Sequence, residues 1–289
     1  MLLHFEDPTC LEVSKAGGKG ASLARMSGLG LPVPEGFVIP ADVLAQVVDA
    51  DALRAALPDH DRAQEIVAAA RPPAEIAEWY AALGDDPPVA VRSSACAEDS
   101  ETASYAGQQE TYLYVRGADQ VLDRVRDCWA SFFSERAIFY RQKKGSLDDL
   151  GMAVVVQRMV RSDVAGVLFT CDPVRGRRDR MVVEAVLGLG EAAVSGHVTP
   201  DHYILKRDGT VRKAQVSEQP FAVVPIEAGG TEERELGPEG AAPKIAEDQL
   251  RELARLGADL EQRLGGPQDI EWAVEDGSIY VLQARPVTT

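Results

Sequence analysis

Apolar and polar positions change period repeatedly along this chain, and each change marks an element. Residues 12–27, EVSKAGGKGASLARMS, read as a glycine-rich turn entering a helix, and 28–40, GLGLPVPEGFVIP, as a Pro/Gly-punctuated connection with a short strand at Gly36 to Ile39. Alanine-rich residues 41–57 and 61–83 are predicted helical, broken at Pro58 and Pro72-Pro73. Val89 to Val91 and Tyr112 to Val115 predict strands on either side of a long polar loop. Val121, Val125, Cys128, Trp129, Phe132 and Phe133 recur at helical spacing, which predicts one helix over Asp119 to Lys144, with Asp119 as N-cap and Gly145 as stop. MAVVVQRMV (152–160) and DVAGVLFT (163–170) predict two strands joined by a tight turn at Arg161-Ser162. A further strand is expected over 180–188, a hairpin over 201–216 turning at Asp208-Gly209, and a Gly/Pro-rich loop over 225–244. Leu250, Leu253, Leu260 and Leu264 mark an amphipathic helix, and 269–286 closes the chain as a hairpin turning at Asp276-Gly277.

Helices interleaved with hairpin-type strands predict an α+β (mixed α/β) fold, with a lobe boundary near Val160. The 289 residues are 45% hydrophobic and 26% charged, enough for a sizeable core without a staple. The formal net charge of −16 argues against a nucleic-acid binder and against docking on an anionic membrane. It also makes each Lys and Arg near a polar cluster more informative. Cys10, Cys96, Cys128 and Cys171 are widely spaced and read as reduced thiols. The opening segment turns acidic after five residues, unlike a signal peptide, and no apolar run reaches the ~18 residues of a membrane span, so a cytoplasmic protein is expected.

Several stretches carry candidate chemistry. In GGKGAS (17–22), glycines permit close backbone approach to an anion and Lys19 sits inside the turn; the alternative is a solvated lysine at a helix entry. Arg92 follows the apolar VAV strand, where a charge meets either a ligand or a partner such as Glu98 or Asp99. The polar loop after it suits a cover over phosphates, with Gly107 for close approach and Gln108, Gln109 and Thr111 as hydrogen-bonding groups. In the last hairpin, Asp269 and Glu271 share one face and Gln283 and Arg285 share one face, since strand residues two apart point the same way. A carboxylate, an amide oxygen and an arginine there suit a phosphate-bound Mg²⁺, or else form a surface ion pair between Glu271 and Arg285. Gln157, Arg158, Met159 and Val160 end a strand able to offer backbone groups to a purine, or simply bring a core strand to the surface. Glu184 is a charge in mid-strand, and GLG at 188–190 is too short for a dinucleotide fingerprint. His197 and His202 read as surface or hydrogen-bonded histidines, and RGRRDR (175–180) as a solvated loop able to guide an anion.

Taken in order, GGKGASLARM, GLPVPEGFVI, VAVRSSACAEDS with SYAGQQETYLYV, VVVQRMV with AGVLFTCDP, VVEAVLGLGEAAVSGHVTPDHY, and DIEWAV with IYVLQARPVT span nearly the whole chain. In this order the chain resembles the nucleotide-binding region of the phosphoenolpyruvate synthase, pyruvate phosphate dikinase and rifampicin phosphotransferase family. The resemblance implies an ATP-grasp type fold of two lobes, 1–160 and 161–289, with the nucleotide in the cleft between them. It implies that Lys19 and Arg92 bind the ATP phosphates and stabilise charge in transfer, that Gly107, Gln108, Gln109 and Thr111 cover them, and that Gln157 to Val160 line the adenine pocket. Glu184 would face the nucleotide, Glu271 and Gln283 would hold Mg²⁺ with Asp269 nearby, and Arg285 would contact the terminal phosphate.

Larger members of the family pass the phosphoryl group to a histidine on a separate domain. His4, His60, His197 and His202 lie outside that context, and the segment before Val89 is short for the family. The expectation is a lone ATP module that transfers a phosphoryl group to a small-molecule acceptor or to a histidine on a partner protein. The alternative is an ATP-binding regulatory subunit, inactive on its own.

Overall fold

The β-branched run at 154–156 is too apolar to face water on either side, and it lies in the middle strand of a five-stranded sheet. The computed structural model describes residues 1–96, 110–144, 150–194 and 196–287. The chain divides into two units: Met1–Leu31, Glu35–Met159 and Ala228–Gly230 in one, and Pro32–Pro34, Val160–Glu227 and Thr231–Thr289 in the other.

The first unit contains β1 (Leu3–His4), α1 (Val13–Gly28), β2 (Gly36–Ile39), α2 (Val43–Val47), α3 (Ala50–Ala56), α4 (His60–Ala68), α5 (Glu75–Ala82), β3 (Val89–Ala95), β4 (Thr111–Val115), α6 (Ala118–Ser131), α7 (Glu135–Lys144) and β5 (Met152–Arg158). Its sheet runs β1-β2-β5-β3-β4 with antiparallel neighbours. Val89, Val91, Val154 and Val156 share one face and form a core with Val121, Val125 and Trp129 of α6. Ala90, Arg92 and Ser94 alternate onto the other face, where Ser94 meets α1.

The expected single helix over Asp119 to Lys144 is two helices. Ser134 ends the run, because its carbonyl accepts from Ile138 N at 2.9 Å and its hydroxyl from Ala137 N at 3.4 Å, so it caps α7. The N-cap of α6 is Gly117, at φ 82°, rather than Asp119, which lies in the first turn. Gly145 lies outside the described residues.

The second unit contains β6 (Val164–Phe169), β7 (Arg180–Leu187), α8 (Glu191–Val194), β8 (Asp201–Lys206), β9 (Val211–Gln215), β10 (Phe221–Pro225), β11 (Thr231–Glu235), α9 (Glu247–Leu264), β12 (Gln268–Glu275) and β13 (Ser278–Pro286). Its six-stranded antiparallel sheet runs β13-β12-β6-β7-β8-β9, and β10 and β11 form a separate ribbon. One face, with Ile270, Trp272 and Leu168, is covered by the apolar stripe of α9, Leu250, Leu253, Ala254, Gly257 and Leu260.

Two expectations fail here. β5 and β6 are not a hairpin: they belong to different sheets, and the segment between them is taken up at Asp163, whose N–H donates to Val274 O at 2.8 Å and whose carbonyl accepts from Gly188 N at 2.9 Å. The 225–244 loop contains a strand, because Thr231–Glu235 pairs with Phe221–Pro225. The hairpins turning at Asp208-Gly209 and Asp276-Gly277 form as expected; both residues of the second turn have positive φ, 49° and 80°, the combination that suits a right-twisted hairpin.

Candidate functional site

In the first unit the site starts from a break in a helix. Gly17 adopts φ 67° and ψ 174° inside α1, a conformation open to glycine and strained for other residues. A Cβ there would lie 2.2 Å from both the carbonyl oxygen and the hydroxyl of Ser94, so only glycine lets the helix approach β3 this closely. Beyond the break the helix restarts, and its first N–H groups need acceptors. The Ser94 hydroxyl accepts from Lys19 N at 3.1 Å and Gly20 N at 3.2 Å, and donates to Ala16 O at 2.8 Å. The glycine-rich turn is therefore clamped onto β3, with two of its N–H groups spent on protein. The side chain of Lys19 donates from Nζ to Ser93 O at 2.8 Å, beside Arg92 in the same strand.

Arg92 stands opposite Thr111 on one side and Val155 on the other. Gln157 stands opposite Ala90, one row along, and directly paired residues share a face. The face that meets α1 thus carries Arg92, Thr111 and Gln157, with Lys19 reaching the backbone at Ser93. Arg92 is half-buried and Gln157 is 3% exposed. Arg158 points to the opposite face, 3.6 Å from Glu35, and its N–H donates to Glu35 O, while Met159 N–H donates to Pro88 O. These two backbone donors are already engaged. Val160 belongs to the second unit, packed with Ala165 and Ala273. Gly107, Gln108 and Gln109, and the suggested partners Glu98 and Asp99, lie outside the described residues.

In the second unit a single row crosses the sheet: Gln283, Glu271, Val167, Glu184, His202 and Gln215 stand opposite one another from β13 to β9. All lie on the face away from α9. Glu184 and Glu271 are separated by one intervening strand, about 10 Å of sheet. Gly166 holds this geometry, since a Cβ there would lie 1.8 Å from Glu184 O and 2.8 Å from the Trp272 ring. The His202 Nδ1 is 3.7 Å from Glu184 Oε1. In the next row Asp269 faces Arg285, whose Nε donates to Asp269 Oδ2 at 2.8 Å. Arg285 is thus ion-paired with its cross-strand neighbour Asp269. Asp269 is 9% exposed, and burial raises its carboxyl above the usual range, with Arg285 pulling it down and Glu271 pushing it up. Two carboxylates and an amide converge there as hard oxygen donors. Among the described residues no group of three or more His, Cys, Asp or Glu is placed to hold a metal ion, so the amide and outside oxygens would have to complete any such shell. Among the same residues no helix is long and apolar enough to cross a membrane.

Over residues 13–289 the chain matches the model of the pyruvate phosphate dikinase AMP/ATP-binding domain. The chain belongs to that family. Its curated relatives include a probable phosphoenolpyruvate synthase of Archaeoglobus fulgidus, 41% identical, and the rifampicin phosphotransferase of Bacillus cereus, 36% identical. A prodigiosin synthesizing transferase of Serratia marcescens is 41% identical. Each alignment covers 100% of this chain and 42, 36 and 33% of the respective relative, so the chain spans well under half of these proteins. The α+β reading of the sequence holds. A phosphotransferase family with an AMP/ATP-binding domain is likewise what the sequence motifs led to.

Sequence reasoning missed two parts of this arrangement. Ser94 was legible only as part of a polar loop entry, although its hydroxyl is the pin of the Gly17 turn. His202 fits the reading of a surface or hydrogen-bonded histidine, but its place in the row with Glu184 was not foreseen. The signal for it was the strand alternation of DHYILK, which puts His202 on the same face as Ile204.

Proposed function

We propose that this chain binds Mg-ATP and serves phosphoryl transfer to an acceptor, either a small molecule or a histidine of a partner protein. The observation that carries the reading is the pair of adjacent rows on β12 and β13, Glu271 opposite Gln283 and Asp269 opposite Arg285. A carboxylate, an amide oxygen, a second carboxylate and a guanidinium on one face match the needs of a magnesium-bound phosphate chain. Relatives named for phosphoenolpyruvate synthesis and for phosphotransfer to rifampicin support phosphoryl chemistry with a variable acceptor.

In this reading Glu271 and Gln283 hold Mg²⁺, with Asp269 beside them, and phosphate oxygens complete the shell. When bound, the cation supplies charge neutralisation on the phosphoryl oxygens. Arg285 contacts the terminal phosphate. Lys19 and Arg92 bind phosphate oxygens and offset the charge that builds up in transfer, Arg92 from a strand and Lys19 from a clamped helix. Thr111, opposite Arg92, adds a hydroxyl donor. Gln157 to Val160 border the adenine, with carbonyls and the Val160 region doing the recognition because the N–H groups of Arg158 and Met159 are taken. Glu184 faces the nucleotide. Positioning and electrostatics supply the rate, as in phosphoryl transfer generally.

The test is ³¹P NMR of the purified chain with Mg-ATP and a panel of acceptors, including cell extract. Loss of ATP with growth of ADP, or of AMP and phosphate, together with a new phosphorylated species supports the proposal. Intact ATP under every condition would leave only a nucleotide-binding module.

A further inference from the structure

The glycine-rich turn 17–20 invites reading as a backbone cradle for phosphate, yet its hydrogen bonds go elsewhere. Lys19 N and Gly20 N both donate to the Ser94 hydroxyl, at 3.1 and 3.2 Å, and Ser94 in turn donates to Ala16 O. Ser94 is fully buried and sits where an N-cap side chain would sit, but it comes from a strand 75 residues away from Lys19 in sequence. Gly17 completes the fit, because any side chain would collide with Ser94. The consequence falls on Lys19. Its Nζ reaches Ser93 O, the residue between Arg92 and Ser94, so one clamp fixes the helix that carries the lysine to the strand that carries the arginine.

We infer that Ser94 is the positioning residue of the phosphate site: its hydroxyl pins the Gly17–Gly20 turn to β3 and so holds the Lys19 ammonium beside Arg92. This rests on the reading that Lys19 and Arg92 bind phosphate. Two cations on separate elements repel each other, and the Ser94 clamp with the Lys19 Nζ to Ser93 O hydrogen bond works against that repulsion. The turn acts as a clamp, and the anion is met by side chains. Phosphate affinity then depends on a residue that touches no ligand.

The experiment compares ATP, ADP and AMP binding by calorimetry, with Mg²⁺, to wild type and to the Ser94→Ala, Lys19→Ala and double variants. Amide exchange at Lys19 and Gly20 is followed in parallel. Ser94→Ala is expected to lower the ratio of ATP to AMP affinity about five- to tenfold, the scale of one hydrogen bond, while AMP affinity stays within twofold. Exchange at the two amides should accelerate. In the Lys19→Ala background Ser94→Ala should have no further effect on the ratio, since the two act through one group. If ATP and AMP affinities fall together, Ser94 is only structural and the inference is overturned. If Lys19→Ala lowers the ratio and Ser94→Ala does not, the inference fails and the phosphate role of Lys19 stands. If Lys19→Ala leaves the ratio unchanged, the underlying reading fails and takes the inference with it. Gly17→Ala breaks the same contact from the other side and should lower the ratio as Ser94→Ala does; an unchanged ratio in a folded Gly17→Ala protein also overturns the inference.

Discussion

Glu271 stands directly opposite Gln283 in the ladder of β12 and β13, with the Asp269–Arg285 pair in the adjoining row. Because Glu271 is half-buried at the sheet surface rather than in the core, its replacement tests the ligand and not the fold. Glu271→Ala is expected to raise the Mg²⁺ concentration needed for half-maximal ATP binding at least about tenfold, the loss of one charged oxygen ligand. The urea midpoint should change by no more than about 0.5 kcal/mol equivalent. An unchanged Mg²⁺ titration would show that the hairpin is only structural.

Asp269 gives a pH signature. Burial raises its carboxyl pKa in the fold above the ordinary value of 3.8. A raised folded value means that the native state holds the proton more tightly than the unfolded chain does, so this group's contribution to stability is full below 3.8 and is lost as pH rises through the folded value. Asp269→Asn removes that loss. The stability of the Asn variant relative to wild type, measured in urea without Mg²⁺, should therefore rise across the acid range. Arg285→Ala should steepen the wild-type trend, since its guanidinium is the group that lowers Asp269. A difference that is flat with pH would contradict the placement of Asp269.

A third prediction concerns the frame that holds the second unit's sheet. Lys244 and Asp201 form a fully buried ion pair at 3.1 Å, and Asp201 also accepts from Tyr203 OH, Ser217 N and Lys244 N. Lys244→Met would strand a buried carboxylate and should cost about 3–5 kcal/mol in a urea melt. The Asp201→Asn/Lys244→Met double variant should recover part of that cost. Neither should change the ratio of ATP to AMP affinity in the folded fraction, because the pair lies in the protein's interior and not among the ligand-facing groups.

Much of this arrangement is legible in the residues, and the exceptions share a cause. The closing hairpin is readable because Asp276-Gly277 fixes the turn, but that turn alone would set Glu271 opposite Leu282; the register shift between Glu271 and Trp272, which the sequence does not announce, is what brings Gln283 opposite Glu271 and Arg285 opposite Asp269. β5 and β6 fail because apolar runs on either side of a short polar break look the same whether the chain turns back or moves to another sheet. β11 is hidden because four of the five residues of TEERE are charged and it takes its strand form from pairing with β10. Ser94 is hidden for a different reason: its partners at Ala16, Lys19 and Gly20 are distant in sequence, and only the fold brings the strand to the helix break. Gly107, Gln108 and Gln109, expected to cover phosphate, lie outside the described residues.

The central claim, that Lys19 and Arg92 meet nucleotide phosphate, is tested most directly by titrating the chain with Mg-ATP and following the ³¹P resonances. The account predicts that the β and γ signals shift on binding to wild type, and that Lys19→Ala and Arg92→Ala lose most of that shift while remaining folded. Wild-type shifts in both variants, or no perturbation of ATP by the wild-type chain, would contradict it.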